Sequence, residues 1–185
     1  MINQQIADLY EKISGEESTA LGKLLSKIPG LSGYMERGRR READQILRET
    51  IAARLEQVRL QLGAVTRDLS RDISVGILYS EDIGAADTLL AGLIGKIKDA
   101  PQGYAGFFDA IKVKEEDLAR LYYFDEQMLN YVDQIAADVA ALQKAAGENI
   151  NVGGAITELQ ADLRLANQTF DRRNEVLMGI SSTKG

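Results

Sequence analysis

Two charged residues occupy positions where helix seams call for apolar ones, and any chemistry would start there. Asp125 interrupts the run Leu118, Leu121, Met128, Val132, Ile135, Val139, Leu142, and Arg173 interrupts Ile156, Leu159, Leu163, Ala166, Phe170, Leu177. In an antiparallel hairpin centred near residue 150, position 125 faces positions 175–176, so the two side chains come within reach of each other. Extending the seam of an earlier helix backward from Ile51 brings Asp44 and Arg48 to the same end. The expectation is a partly buried ionic layer of Asp125, Arg173, Arg48 and Asp44. Such a layer adds little net stability, because desolvation offsets the Coulomb attraction, but it fixes which helix positions face one another. The chemical alternative is a pocket for an anion or small ligand built on the arginines.

A second concentration of charge is Arg37, Arg39, Arg40 and Arg41, with Lys23 and Lys27 upstream. Residues 20–48 hold seven basic groups against three acids, in a chain whose net charge is −6. Arginines so crowded at a helix start can meet phosphates, anionic lipid headgroups or an acidic partner. The plainer outcome is a solvated face that pairs with Glu36, Glu42 and Asp44. The stretch from Ser18 to Leu31 has one apolar face flanked by Lys23 and Lys27, a pattern that suits a membrane surface as well as a bundle core. Tyr104, Phe107, Phe108 and Tyr122 form a candidate aromatic plug for one end of the fold. Exposed instead, they would make a partner-binding hot spot.

Most catalytic chemistries are excluded by what the chain lacks. There is no cysteine and no histidine. Thiol nucleophiles, zinc-thiolate sites, Ser-His-Asp triads and Glu-x-x-His di-iron sites therefore cannot be assembled. Carboxylates are plentiful, among them Glu115, Glu116, Asp117, Glu126, Asp133 and Asp138. Glycosidase chemistry needs two of them opposed across a cleft, which a narrow bundle seldom provides. A metal site would have to be all-oxygen, for Mg²⁺ or Ca²⁺, and no spacing matches an EF-hand loop. Gly92-Leu93-Ile94-Gly95-Lys96 has the superficial outline of a phosphate loop, but Leu90 stands where the upstream glycine belongs and the run lies inside a helical pattern. No catalytic, cofactor-binding or metal-binding residue is assigned, and no cofactor is expected. The acidic balance argues against nucleic acid as a partner.

The elements that must position these residues are helices. At 185 residues the chain suits one domain with a sizeable core. Pro29 and Pro101 are its only prolines, so long helices are permitted between breaks. Short helices are expected over 3–14 and from Ser18 to Ile28. A long helix follows from about Tyr34 to Asp72, with the seam Ile51, Leu55, Val58, Leu62, Val65, Leu69 at coiled-coil spacing. The β-branched run 73–80 reads as a connection or a frayed helix end, after which Ser80 caps a helix to about Asp99. Glu115, Glu116 and Asp117 open the next helix, which Gly147 ends. A loop over 149–154 leads into the last helix, and 181–185 is a polar tail.

The expected fold is all-α: an antiparallel up-down-up-down four-helix bundle with long coiled-coil-like helices over 34–180, and short N-terminal helices of 1–33 packed on it. No secretory signal and no membrane span are expected, since MINQQIADLYEKIS lacks a basic stretch followed by an apolar core. A cytoplasmic location follows by default. The expected function is that of a non-enzymatic helical interaction or scaffold protein, self-associating or binding a protein partner. The alternative is a peripheral protein that binds anionic lipid through residues 18–41.

Overall fold

The computed structural model describes residues 22, 26–28, 40–100 and 115–182, with side chains placed for 22, 26–28, 42–100 and 121–175. Among them the chain is all-helical, with no strand. Four long helices carry it: α1 (Arg40–Leu69), α2 (Ile73–Asp99), α3 (Glu115–Glu148) and α4 (Val152–Ser182).

The connections explain where each helix starts and stops. Residues 73–80, expected to be a connection or frayed end, are instead the first turns of α2. Asp72 is the N-cap: its carboxylate accepts from the amides of Ser74 at 2.9 Å and Val75 at 3.3 Å. Two otherwise orphaned donors are thereby satisfied, and the acidic group sits at the positive end of the helix dipole. That local chemistry outweighs the β-branched composition of the run. Ser80 is no cap; its hydroxyl donates to the Ile77 carbonyl within α2. At the other hairpin, Gly147 lies in the last turn of α3 and does not end it. Asn149 does, in the left-handed region at φ 54°, and the Ile150 amide reaches back to the Ala145 carbonyl at 3.0 Å. This is a Schellman closure with asparagine in the usual glycine place. The loop is only Asn149–Asn151, so Gly153 and Gly154 belong to α4. Ser181 and Ser182, read as polar tail, also belong to α4.

Two compact units make up the described residues. One comprises 48–100 and 128–171 and contains stretches of all four helices. Cross-helix contacts fix their directions. Arg59 meets Asp87 and Arg48 meets the Ile97 carbonyl, so α1 and α2 are antiparallel. Tyr79 lies over Gly153, Gln160 donates to the Asp82 carbonyl, Asn167 to that of Leu89, and Lys96 pairs with Asp171. Those numbers rise together, so α2 and α4 are parallel, and the short loop 149–151 makes α3 and α4 antiparallel. This unit is an up-down-up-down four-helix bundle. Its core is the expected seam: Leu55, Leu62, Leu90, Leu93, Ile135, Leu142, Leu159 and Leu163 are all within 1% of full burial. Each such side chain contributes roughly 1.5–3 kcal/mol by leaving water.

The other unit comprises, among described residues, 22, 26–28, 40–47, 115–127 and 172–182. Ala43, Leu47, Leu121 and Ile28 are buried in it. Ile28 follows Ser26 and Lys27, which are helical; residues 3–14 and the rest of 18–33 lie outside the described residues.

Candidate functional site

Three of the four residues expected in an ionic layer meet in the second unit. Arg173, contributed by α4, donates from Nε to the Asp125 carboxylate of α3 at 2.5 Å and from a terminal nitrogen to the Asp44 carboxylate of α1. All three are sealed from solvent: Arg173 and Asp44 are 1% exposed and Asp125 is fully buried. The guanidinium fork explains why arginine holds this place. Its donors lie in one plane and reach two carboxylates on different helices at once, whereas a lysine offers a single point charge. The outcome is a cross-link of three helices by one side chain. Glu126, next to Asp125, is also buried. Arg48, the fourth residue of the expected layer, lies in the four-helix unit, buried, and donates to the Ile97 carbonyl of α2 at 3.4 Å.

A second buried carboxylate lies in the four-helix unit. Asp138 of α3 is 7% exposed; its Oδ1 accepts from the Gln134 amide at 3.0 Å, and its Oδ2 meets no donor. Facing it from α4 are Asp162 and, further off, Glu158. Burial pushes the Asp138 carboxyl up to about 6, with the hydrogen bond and charge of Asp162 and the charge of Glu158 adding to the rise and the Gln134 bond opposing it. Among the described residues no three His, Cys, Asp or Glu side chains stand close enough to hold a metal ion.

A third feature is the outward face of α2. The parallel register sets Tyr79 beside Gly153, near the start of α4. Residues 73–78 therefore outrun α4 by about 9 Å at 1.5 Å per residue. Ile73, Ile77 and Leu78 are 76, 74 and 67% exposed there. Beyond them Gly84, Gly92 and Gly95 have nothing within 4 Å of where a Cβ would stand. The charges flanking this face turn sideways: Asp87 to Arg59 at 2.7 Å, Lys98 to Glu56, and Lys96 to Asp171 at 2.9 Å. The Arg59 hydrogen bond holds the Asp87 carboxyl below its usual range, with burial acting against it. Between α1 and α2 runs an open groove of about 400 Å³ lined by Gly63, Thr66, Ser70, Gly76 and Ser80. Gly76 makes a close approach there, since a Cβ would stand 3.1 Å from the Ser70 Cα.

The remaining sequence candidates are only partly placed. Arg40 and Arg41 begin α1, and Lys27 is half-buried and engaged in interactions. Lys23, Arg37 and Arg39 lie outside the described residues, as do the side chains of Arg40 and Arg41. Tyr104, Phe107 and Phe108 also lie outside them, while Tyr122 is half-buried on α3. Tyr123 beside it is 47% exposed and meets the Phe124 ring edge-on at 5.9 Å.

Sequence reasoning names Asp138 without giving it a partner, although a signal is present. The hairpin centre that sets 125 opposite 175 also sets 138 opposite 162. The outward apolar face of α2 goes unseen as long as its first turns are not read as helix. No helix among the described residues is long and apolar enough to cross a membrane. Comparison with known proteins finds no family model, no curated protein and no solved structure that matches the chain. What fold and site define is a class only, an all-α protein of four long helices with charged side chains in its interior.

Proposed function

We propose that this protein is a non-enzymatic helical interaction protein that works by helix-helix association, with a second copy of itself as the partner docking on α2. The observation that carries the proposal is the exposure of Ile73, Ile77 and Leu78 in the first turns of α2, while charges further along that helix pair with α1 and α4. Charge favours a like partner. Arg71, paired with Asp68 at 3.3 Å but still 82% exposed at its side chain, stands at one end of the patch, and the exposed Glu81 and Asp82 stand at the other. Two α2 segments laid antiparallel about Ile77 bring each Arg71 to the carboxylates of the other copy, with the isoleucines between them. A two-fold contact of this kind uses the same surface on both copies.

Magnitudes set the regime. Burying six large aliphatic side chains yields on the order of 10 kcal/mol. Association itself costs about 4–15 kcal/mol in lost freedom of motion and ordering. A weak, concentration-dependent dimer follows. Sedimentation of the full chain from micromolar to millimolar concentration tests it. The expected result is a monomer-dimer equilibrium that Ile73→Ser with Ile77→Ser abolishes while the helical content stays unchanged. A monomer at every concentration, or a dimer indifferent to the double change, overturns it.

A further inference from the structure

We infer that Asp138 and Asp162 share one proton across the α3-α4 contact, which makes the four-helix unit a pH-sensitive lock that tightens on mild acidification. The geometry behind this is an orphaned atom. Asp138 Oδ2 is buried and meets no donor, while its other oxygen is already occupied by the Gln134 amide. The group facing it is a second carboxylate. Two ionised carboxylates offer only acceptors and repel one another; Asp162 is half-buried, but the sealed Oδ2 of Asp138 gains a hydrogen bond there only when one of the two carries a proton.

Among the described residues no cation acts on Asp138 in place of that proton. From α4 the facing titratable groups are Asp162 and Glu158, both acidic. On α3 itself the contact is Gln134, a neutral amide. From α1 the nearest charge paired with α3 is Arg54, whose partner is Asp133, five residues before Asp138. Glu158 is exposed and acts on Asp138 only through its charge, so the group in direct contact is the half-buried Asp162. A proton is the cation that fits.

The direction of the effect follows from linkage. The carboxyl of Asp138 titrates at about 6 in the folded chain against an ordinary value of 3.8. Between those values the folded chain holds more protons than the unfolded one, so folding stability falls as pH rises through the window and is regained as pH falls. This runs against the usual course, in which acid weakens a folded protein by protonating carboxylates that are ion-paired.

The test is the thermal and urea unfolding of the full chain between about pH 4.5 and pH 7.5, compared with Asp138→Asn and with Asp162→Asn. Each change puts an amide donor where the shared proton lies, and so mimics the protonated pair at every pH. Both variants are expected to be more stable than the parent near neutrality, by on the order of tenfold in the folding equilibrium. That advantage should shrink steadily toward pH 4.5, since the proton's contribution is complete only below the ordinary value of 3.8. Carbon-13 NMR of the Asp138 carboxyl in the parent chain, which needs no variant to fold, should show it titrating well above the usual aspartate range. A pH-independent difference between parent and variants overturns the inference, as does an ordinary NMR titration. So does an Asp138 titration left unmoved by Asp162→Asn, because burial alone would then hold the proton.

Discussion

Asp125 and Asp138 lie thirteen residues apart on one helix, both buried, and their surroundings are opposite. Asp125 accepts from a guanidinium that is always charged and that it shares with Asp44. Asp138 accepts from a neutral amide and faces another acid. Burial is therefore not what distinguishes an ion-paired carboxylate from a proton-holding one; the group contributed by α4 at the facing position does. Arginine at 173 neutralises its neighbours, whereas aspartate at 162 compounds the charge.

The contrast is broken most severely at Arg173. Arg173→Met removes the cation and leaves two carboxylates buried without it, so a loss of about 3–5 kcal/mol in urea unfolding is expected. If the loss stays below about 1 kcal/mol, the triad is solvated in a way its burial does not suggest. Replacing the whole triad by apolar residues, Asp44→Leu with Asp125→Leu and Arg173→Met, sharpens the same point. Desolvation costs vanish together with the attraction, so stability should return to near or above the parent value. The register of α3 against α4 is then the property to watch, by disulfide trapping or NMR.

Next in size comes the opposite sign at the other carboxylate. Asp138→Asn should stabilise the chain near neutral pH and much less at about pH 4.5, whereas the Arg173 change should destabilise at both. Smaller still is Gly92→Ala on the open face of α2, where nothing lies within 4 Å of the added methyl. Helix propensity favours it by up to about 1 kcal/mol, seen as a higher midpoint of thermal unfolding. Smallest is Ile77→Ser, expected to shift monomer stability by less than about 0.5 kcal/mol, as for other exposed positions, while removing self-association.

The pairing of Asp125 with Arg173 was legible because one rule reaches both residues. Apolar side chains recurring every three or four positions mark the inward face, and a hairpin with a short loop pairs positions of constant sum. The same rule holds 138 opposite 162, so that juxtaposition was written in the chain as well. Its consequence was not, because charge state depends on how completely water is removed and on which oxygen finds a donor. Neither is a property of spacing. Arg48, on the extrapolated seam, adds a hydrogen bond to a backbone carbonyl of α2 that spacing does not announce.

What the sequence determined by itself is the set of four helices, their inward stripes and the absence of imidazole and thiol chemistry, since these depend on local periodicity and composition alone. The Asp72 cap that makes 73–80 helical is local as well, and was there to be read. Tertiary structure decided the rest: the parallel register of α2 with α4 carried Ile73, Ile77 and Leu78 past the helix beside them. Exposure and protonation are set by what other segments bring alongside, and no stretch of chain read on its own contains its neighbours.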